Sequence, residues 1–142
     1  MSAPRSNDEK RAALRELMFT TPYISRLGIS ADRWETEGVQ LRLPFKEELT
    51  NDGNVHHGGA LASLMDTAGA ASVWAGHDFE KGIRAATVSM TINYTGSAPG
   101  VDLLADAVCV KRGRDLAFSE ITITGADGKP VATGTLVYRI VP

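Results

Sequence analysis

The chain has 142 residues, with 15 Lys and Arg against 17 Asp and Glu, a net charge of −2 and a pI near 5.9. That length gives one domain with its own core, and 43% hydrophobic with 23% charged residues is the make-up of an ordinary globular protein. The near-balanced charge argues against a nucleic-acid partner, and a single cysteine, Cys109, leaves no internal disulfide and no cysteine-based zinc cluster. No apolar run nears the roughly 20 residues of a bilayer span, and the opening MSAPRSNDEKRAALRELM is too polar for a secretory signal. The expectation is a cytoplasmic protein with no membrane partner.

Ser6 and Glu9 have capping-box spacing, and Ala12, Ala13, Leu14, Leu17 and Met18 supply an apolar face, predicting a helix over Asn7–Phe19. Residues 1–22 form an N-terminal helical segment and 23–142 a single domain. Thr21-Pro22 opens a short turn that Gly28 ends. Strands are predicted around Ile29–Glu35 and Val39–Phe45, followed by a polar loop from Lys46 to His57. Ala60–Trp74 then reads as a helix that is apolar or small on nearly every face, hence buried. From Ala86 to Thr95 the pattern alternates strictly: Ala86, Val88, Met90, Ile92 and Tyr94 face one way, and Thr87, Ser89, Thr91, Asn93 and Thr95 the other. Strands over Leu103–Lys111, Leu116–Thr124 and Val131–Ile140 follow, with an Asp127-Gly128 hairpin signal before the last. Consecutive hairpins imply an α+β domain in which a curved antiparallel sheet surrounds one central helix.

Asp66 is the only charged residue between His57 and His77. A carboxylate among Leu, Met, Ala and Val is costly without a partner, so it faces a wet edge or serves as an acid/base group in a dry cleft. At the start of the same helix, Gly58-Gly59 leaves amide N–H groups bare, where the helix dipole favours a developing oxyanion. His56-His57 lacks a third nitrogen or thiolate neighbour, so no metal site is expected. Gly58 and Asp66 are eight residues apart, about 12 Å along one helix at 1.5 Å per residue, too far for both to act on one carbonyl. Two antiparallel copies of the helix across a two-fold axis bring the glycine end of one beside Asp66 of the other, which predicts a dimer with two shared sites.

Asn51, His57-Gly58-Gly59 and Asp66, followed by the Thr87–Tyr94 strand, resemble the hotdog-fold acyl-CoA thioesterases, specifically the branch named after phenylacetic acid degradation (PaaI-like). The similarity runs from about Ile24 to Ile140. It implies a sheet wrapped around the central helix, dimers joined sheet edge to sheet edge, and dimers pairing into a homotetramer. It assigns Asp66 as the catalytic base or nucleophile, Gly58 as the amide that polarises the thioester carbonyl, Asn51 as a polar loop residue near thioester and water, and Thr87 as a holder of that water. His57 and Gly59 are expected at the substrate, and an aspartate rather than a glutamate on the helix favours this branch over the hydroxybenzoyl-CoA one. His56 departs from the apolar or small residue common at its position. No cofactor is implied, CoA being part of the acyl-CoA substrate; its phosphates call for cations, for which Arg84, Lys111, Arg112 and Arg114 are the candidates. Two other readings use the same fold: a non-catalytic acyl-CoA-binding module, and an enoyl-thioester hydratase or dehydratase.

Overall fold

In the computed structural model, which describes residues 3 and 5–142, helix α1 (Asn7–Met18) starts where Ser6 Oγ accepts the Glu9 N–H at 3.2 Å. Met1, Ser2 and Pro4, part of the expected 1–22 segment, lie outside the described residues. Two side chains pin α1 to the rest of the molecule. The Asn7 amide accepts the Phe79 N–H (2.9 Å) and donates to Asp78 (3.2 Å), while Arg11 donates to the carbonyls of His77 (2.9 Å) and Gly76 (3.3 Å). Helix α2 (Pro22–Leu27) begins at its proline and ends at Gly28, whose φ of 78° favours glycine. It therefore straddles residue 22.

Strands β1 (Ser30–Trp34) and β2 (Gly38–Leu43) precede α3 (Gly58–Trp74), and β3 (Arg84–Tyr94), β4 (Leu103–Arg112), β5 (Leu116–Gly125) and β6 (Pro130–Val141) follow it. All strand pairs are antiparallel, in the order β1-β2-β4-β5-β6-β3, giving the curved sheet and central helix of the hotdog fold. Helix α3 buries Leu61, Leu64, Met65, Ala68 and Val73 against the sheet. Small residues make that approach possible. A Cβ on Gly69 would stand 3.0 Å from Leu136, and one on Gly134 of β6 would collide with Met65 Sδ and the Thr91 carbonyl. The buried serine pair in this seam is satisfied: Ser72 donates to the Gly69 carbonyl and pairs with Ser119, both at 2.8 Å.

The strict alternation expected along β3 does not hold. Thr87 pairs with Tyr138 and Ser89 with Val137, so Val88 is an extra residue, a β-bulge. Beyond it the faces swap: Thr87 shares the side turned toward α3 with Met90, Ile92 and Tyr94, while Val88 is 55% exposed. A second bulge, at Val110 of β4, does the same for Arg112, which turns in toward the end of α3. Strand β3 closes the sheet at one end, and apart from its half-buried Met90 and Ile92 it is exposed along its whole length.

Candidate active site

The first group of site residues meets in the middle of α3. Asp66 is half-buried, and its Oδ1 accepts a 2.6 Å hydrogen bond from Thr87 Oγ1, a contact that the Val88 bulge creates. Among the described residues Oδ2 has no protein partner, leaving it free to take a proton from a water. The pair lies in a cleft of ≈ 300 Å³ whose far wall is supplied by Leu14, Leu17 and Met18 of α1 and Ile24 of α2. Tyr138, opposite Thr87 on β6, completes the floor; its oxygen accepts the Trp74 indole N–H at 3.0 Å. Burial pushes the Tyr138 phenol above its usual pKa, and the Asp66 charge adds to the effect, so it is neutral with a proton to donate.

The second group sits at the N-terminus of α3. The loop leading there is closed by the Asn51 N–H on Val55 (3.0 Å), the His57 N–H on Leu49 (2.8 Å) and Asp52, which accepts from Asn54 and Val55. Those two amides hold the Asp52 carboxyl below its usual pKa. Asn51 is exposed in this loop. The expectation that both glycines present bare amides is corrected here. His57 is the N-cap, and its Nδ1 accepts the Gly59 N–H at 2.8 Å, so Gly59 has no amide to offer a ligand. Among the described residues nothing accepts the Gly58 N–H, which stands free at the positive end of a 17-residue helix. Tyr94 covers the other side, donating to the Gly58 carbonyl at 3.0 Å. Within one chain the two groups therefore stay apart, eight residues along α3.

The basic candidates do not converge as one cluster. Arg112 is already engaged: it donates to the Val73 carbonyl (2.9 Å) and to Glu37 (3.2 Å), capping the C-terminus of α3. With the exposed Arg114 and with Lys81, it rims a depression of ≈ 70 Å³ that shares Tyr138 as a wall with the Asp66 cleft. Lys111 is exposed on β4 outside that rim, and Arg84 donates to the Pro142 carbonyl. Lys81 and Tyr138 were absent from the sequence-based set. Lys81 carries no local signal, since topology alone brings it there. Tyr138 could have been found as the one polar residue in phase with Leu136 and Ile140 on the inward face of β6. Among the described residues no group of three His, Cys, Asp or Glu side chains could hold a metal ion.

Residues 53–132 match the model of the thioesterase superfamily. An esterase-named protein of Halobacterium salinarum is 32% identical over 94% of this chain and 93% of its own, and human acyl-coenzyme A thioesterase 13 is 34% identical over 68% of each. The PaaI protein of the Escherichia coli phenylacetic acid degradation operon superposes with a TM-score of 0.82 over 96% of this chain and 97% of its own; at 22% identity it speaks for the fold alone. The chain belongs to the thioesterase superfamily, on the hotdog fold.

Proposed function

We propose that the protein hydrolyses an aryl- or medium-chain acyl-CoA thioester to the free acid and CoA. The observation that carries this reading is the 2.6 Å Thr87–Asp66 hydrogen bond, which orients a carboxylate with one unoccupied oxygen inside an apolar cleft. Asp66 Oδ2 takes a proton from water, and the resulting hydroxide attacks the thioester carbon. Charge collects on the carbonyl oxygen, which the Gly58 N–H of the partner subunit stabilises with the field of its helix. Collapse of the tetrahedral intermediate breaks the C–S bond, and the leaving thiolate recovers the proton from Asp66. Water is the only co-reactant, so no cofactor is called for. Asn51, exposed in the loop that leads to α3, helps hold the thioester and water. His57 acts by keeping Gly59 in place. Arg114, with Arg112 and Lys81 beside it, offers charge to the CoA phosphates; Lys111 and Arg84, outside that rim, are further candidates for them.

Shared sites require at least a dimer, and the unpaired edge of β3 supports one formed sheet edge to sheet edge. The reading retains the dimer of dimers and the cytoplasmic location; exposed Val108 and Val110 on the outer face of β4 suit a second association. The name of the human relative supports CoA as the thiol. The test is free-thiol release from phenylacetyl-, hydroxybenzoyl-, hexanoyl- and lauroyl-CoA by wild type and Asp66→Ala. Release that the substitution lowers by at least 10³-fold, with the circular-dichroism spectrum intact, is the expected outcome. Binding without release from any of them would instead assign a non-catalytic acyl-CoA-binding module.

A further inference from the structure

The amide assigned to the oxyanion belongs to the most pliable stretch of α3. Gly58 and Gly59 are its first two residues, both without side chains, and a helix frays at its ends. A donor that meets a developing charge must be held still beforehand, because a small misplacement forfeits much of what it supplies. Two peptide planes join at the Gly58 α-carbon. The first, between His57 and Gly58, carries the free N–H, and its carbonyl end accepts the N–H groups of Ala60 (2.9 Å) and Leu61 (3.3 Å). The second, between Gly58 and Gly59, is gripped at both ends. His57 Nδ1 accepts its N–H at 2.8 Å, and the Tyr94 hydroxyl donates to its carbonyl at 3.0 Å. The Tyr94 ring also lies against the Gly58 α-carbon, where a Cβ would stand 3.5 Å from it. With 54% of its surface exposed, Tyr94 is not a core aromatic; its contacts are with this glycine.

We propose that Tyr94 is a positioning residue: its hydroxyl, bonded to the Gly58 carbonyl, clamps the Gly58–Gly59 peptide and so keeps the free Gly58 N–H aimed at the thioester oxygen. The kinetic consequence of the clamp rests on the thioesterase reading above. One strand then serves both halves of the chemistry. Strand β3 carries Thr87, which orients Asp66, and Tyr94, seven residues further on, which steadies Gly58. Strict alternation puts those two side chains on opposite faces, and the extra residue at Val88 brings both to the α3 side.

Tyr94→Phe keeps the ring and its contact with Gly58 and removes only the donor. On the acyl-CoA that wild type turns over best, kcat is expected to fall about 10-fold with KM within about two-fold, the mark of an interaction made in the transition state. An unchanged kcat overturns the proposal, and so does a loss confined to KM, which would make Tyr94 a substrate contact. A tyrosine that merely supports β3 gives the same loss whatever stands at position 58, whereas a clamp on a pliable glycine does not. Gly58 has no positive φ, so alanine fits there, keeps the N–H and stiffens the backbone. In a Gly58→Ala background the effect of Tyr94→Phe on kcat should shrink to about two-fold or less; an equal loss in both backgrounds overturns the proposal. Amide NMR relaxation on the protein without substrate reads the clamp apart from turnover. Tyr94→Phe should raise the mobility of the Gly58 and Gly59 amides and leave that of Asp66 and Thr67 unchanged. This measurement separates the two inferences. No thiol release from any acyl-CoA by wild type sinks the thioesterase reading, while a Gly58 amide as rigid in Tyr94→Phe as in wild type sinks the clamp.

Discussion

Thr87 has no role in the core; its hydroxyl points at a carboxylate. That hydrogen bond to a charged acceptor aims Asp66 and leaves one of its oxygens for water. Thr87→Val keeps the shape and removes the donor, so kcat is expected to fall about 10- to 100-fold with KM nearly unchanged, and Thr87→Ser to restore most of it. A rise in KM at constant kcat would make Thr87 a binding residue instead. Asp66 itself was legible as an anomaly, a lone charge in an apolar helix. The way Gly59 is silenced was not, because histidine is not among the common N-cap residues and only the folded structure shows its Nδ1 on the amide.

At the scale of elements, α3 and the succession of strands along the chain could be read from periodicity, but the pairing of β3 with β6 instead of the next strand, and the faces of β3, could not. Ala86 to Thr95 alternates so regularly that nothing in it marks Val88 as supernumerary; the bulge is set by pairing with β6, a long-range contact with no local trace. Deleting Val88 leaves Thr87 opposite Tyr138 and Ser89 opposite Val137, so β3 becomes a regular strand with Thr87 still turned toward Asp66, and turnover should stay within about 10-fold of wild type. A drop as large as that in Thr87→Val, with the circular-dichroism spectrum retained, would show that the bulge itself aims the hydroxyl. The turn after α3 has a different sensitivity. His77 is buried edge-on between Trp74 (5.0 Å) and Phe79 (5.1 Å), and Nε2 donates to the Gly82 carbonyl. Burial holds its pKa below the ordinary 6.5, with Arg112 and Lys81 acting the same way and Asp78 and the Gly82 bond opposing. As pH falls below about 6.5, the unfolded chain takes up a proton that the folded one refuses, so stability declines toward pH 5 and this contribution vanishes above pH 7. His77→Gln should flatten the change in urea midpoint between pH 7 and pH 5. An unaltered slope would mean that His77 is protonated as readily in the fold as out of it.

For the whole molecule the decisive feature is the edge that β3 leaves unpaired. Thr87 touches Asp66 and Tyr94 touches Gly58, and the two contacts lie seven residues apart on that strand. If two copies of β3 pair antiparallel about a two-fold axis near Met90–Thr91, Thr87 falls beside the partner subunit's Tyr94. The Gly58 amide of one subunit is thereby carried toward the Asp66 carboxylate of the other. Such a pairing would let two chains complete each site, as the proposed mechanism requires. Complementation tests this without a structure of the assembly. Asp66→Ala and Asn51→Ala chains, each expected to be inactive alone, are unfolded together and refolded as an equal mixture. Random pairing makes half of the dimers mixed, and each mixed dimer has one site with both groups intact, so about a quarter of wild-type thiol release should return. A mixture that stays inactive, while eluting at no less than twice the 15.2 kDa chain mass, would place each site within a single chain. In that case some part of α3 or its loop would have to move by about the 12 Å that now separates Gly58 from Asp66 along the helix.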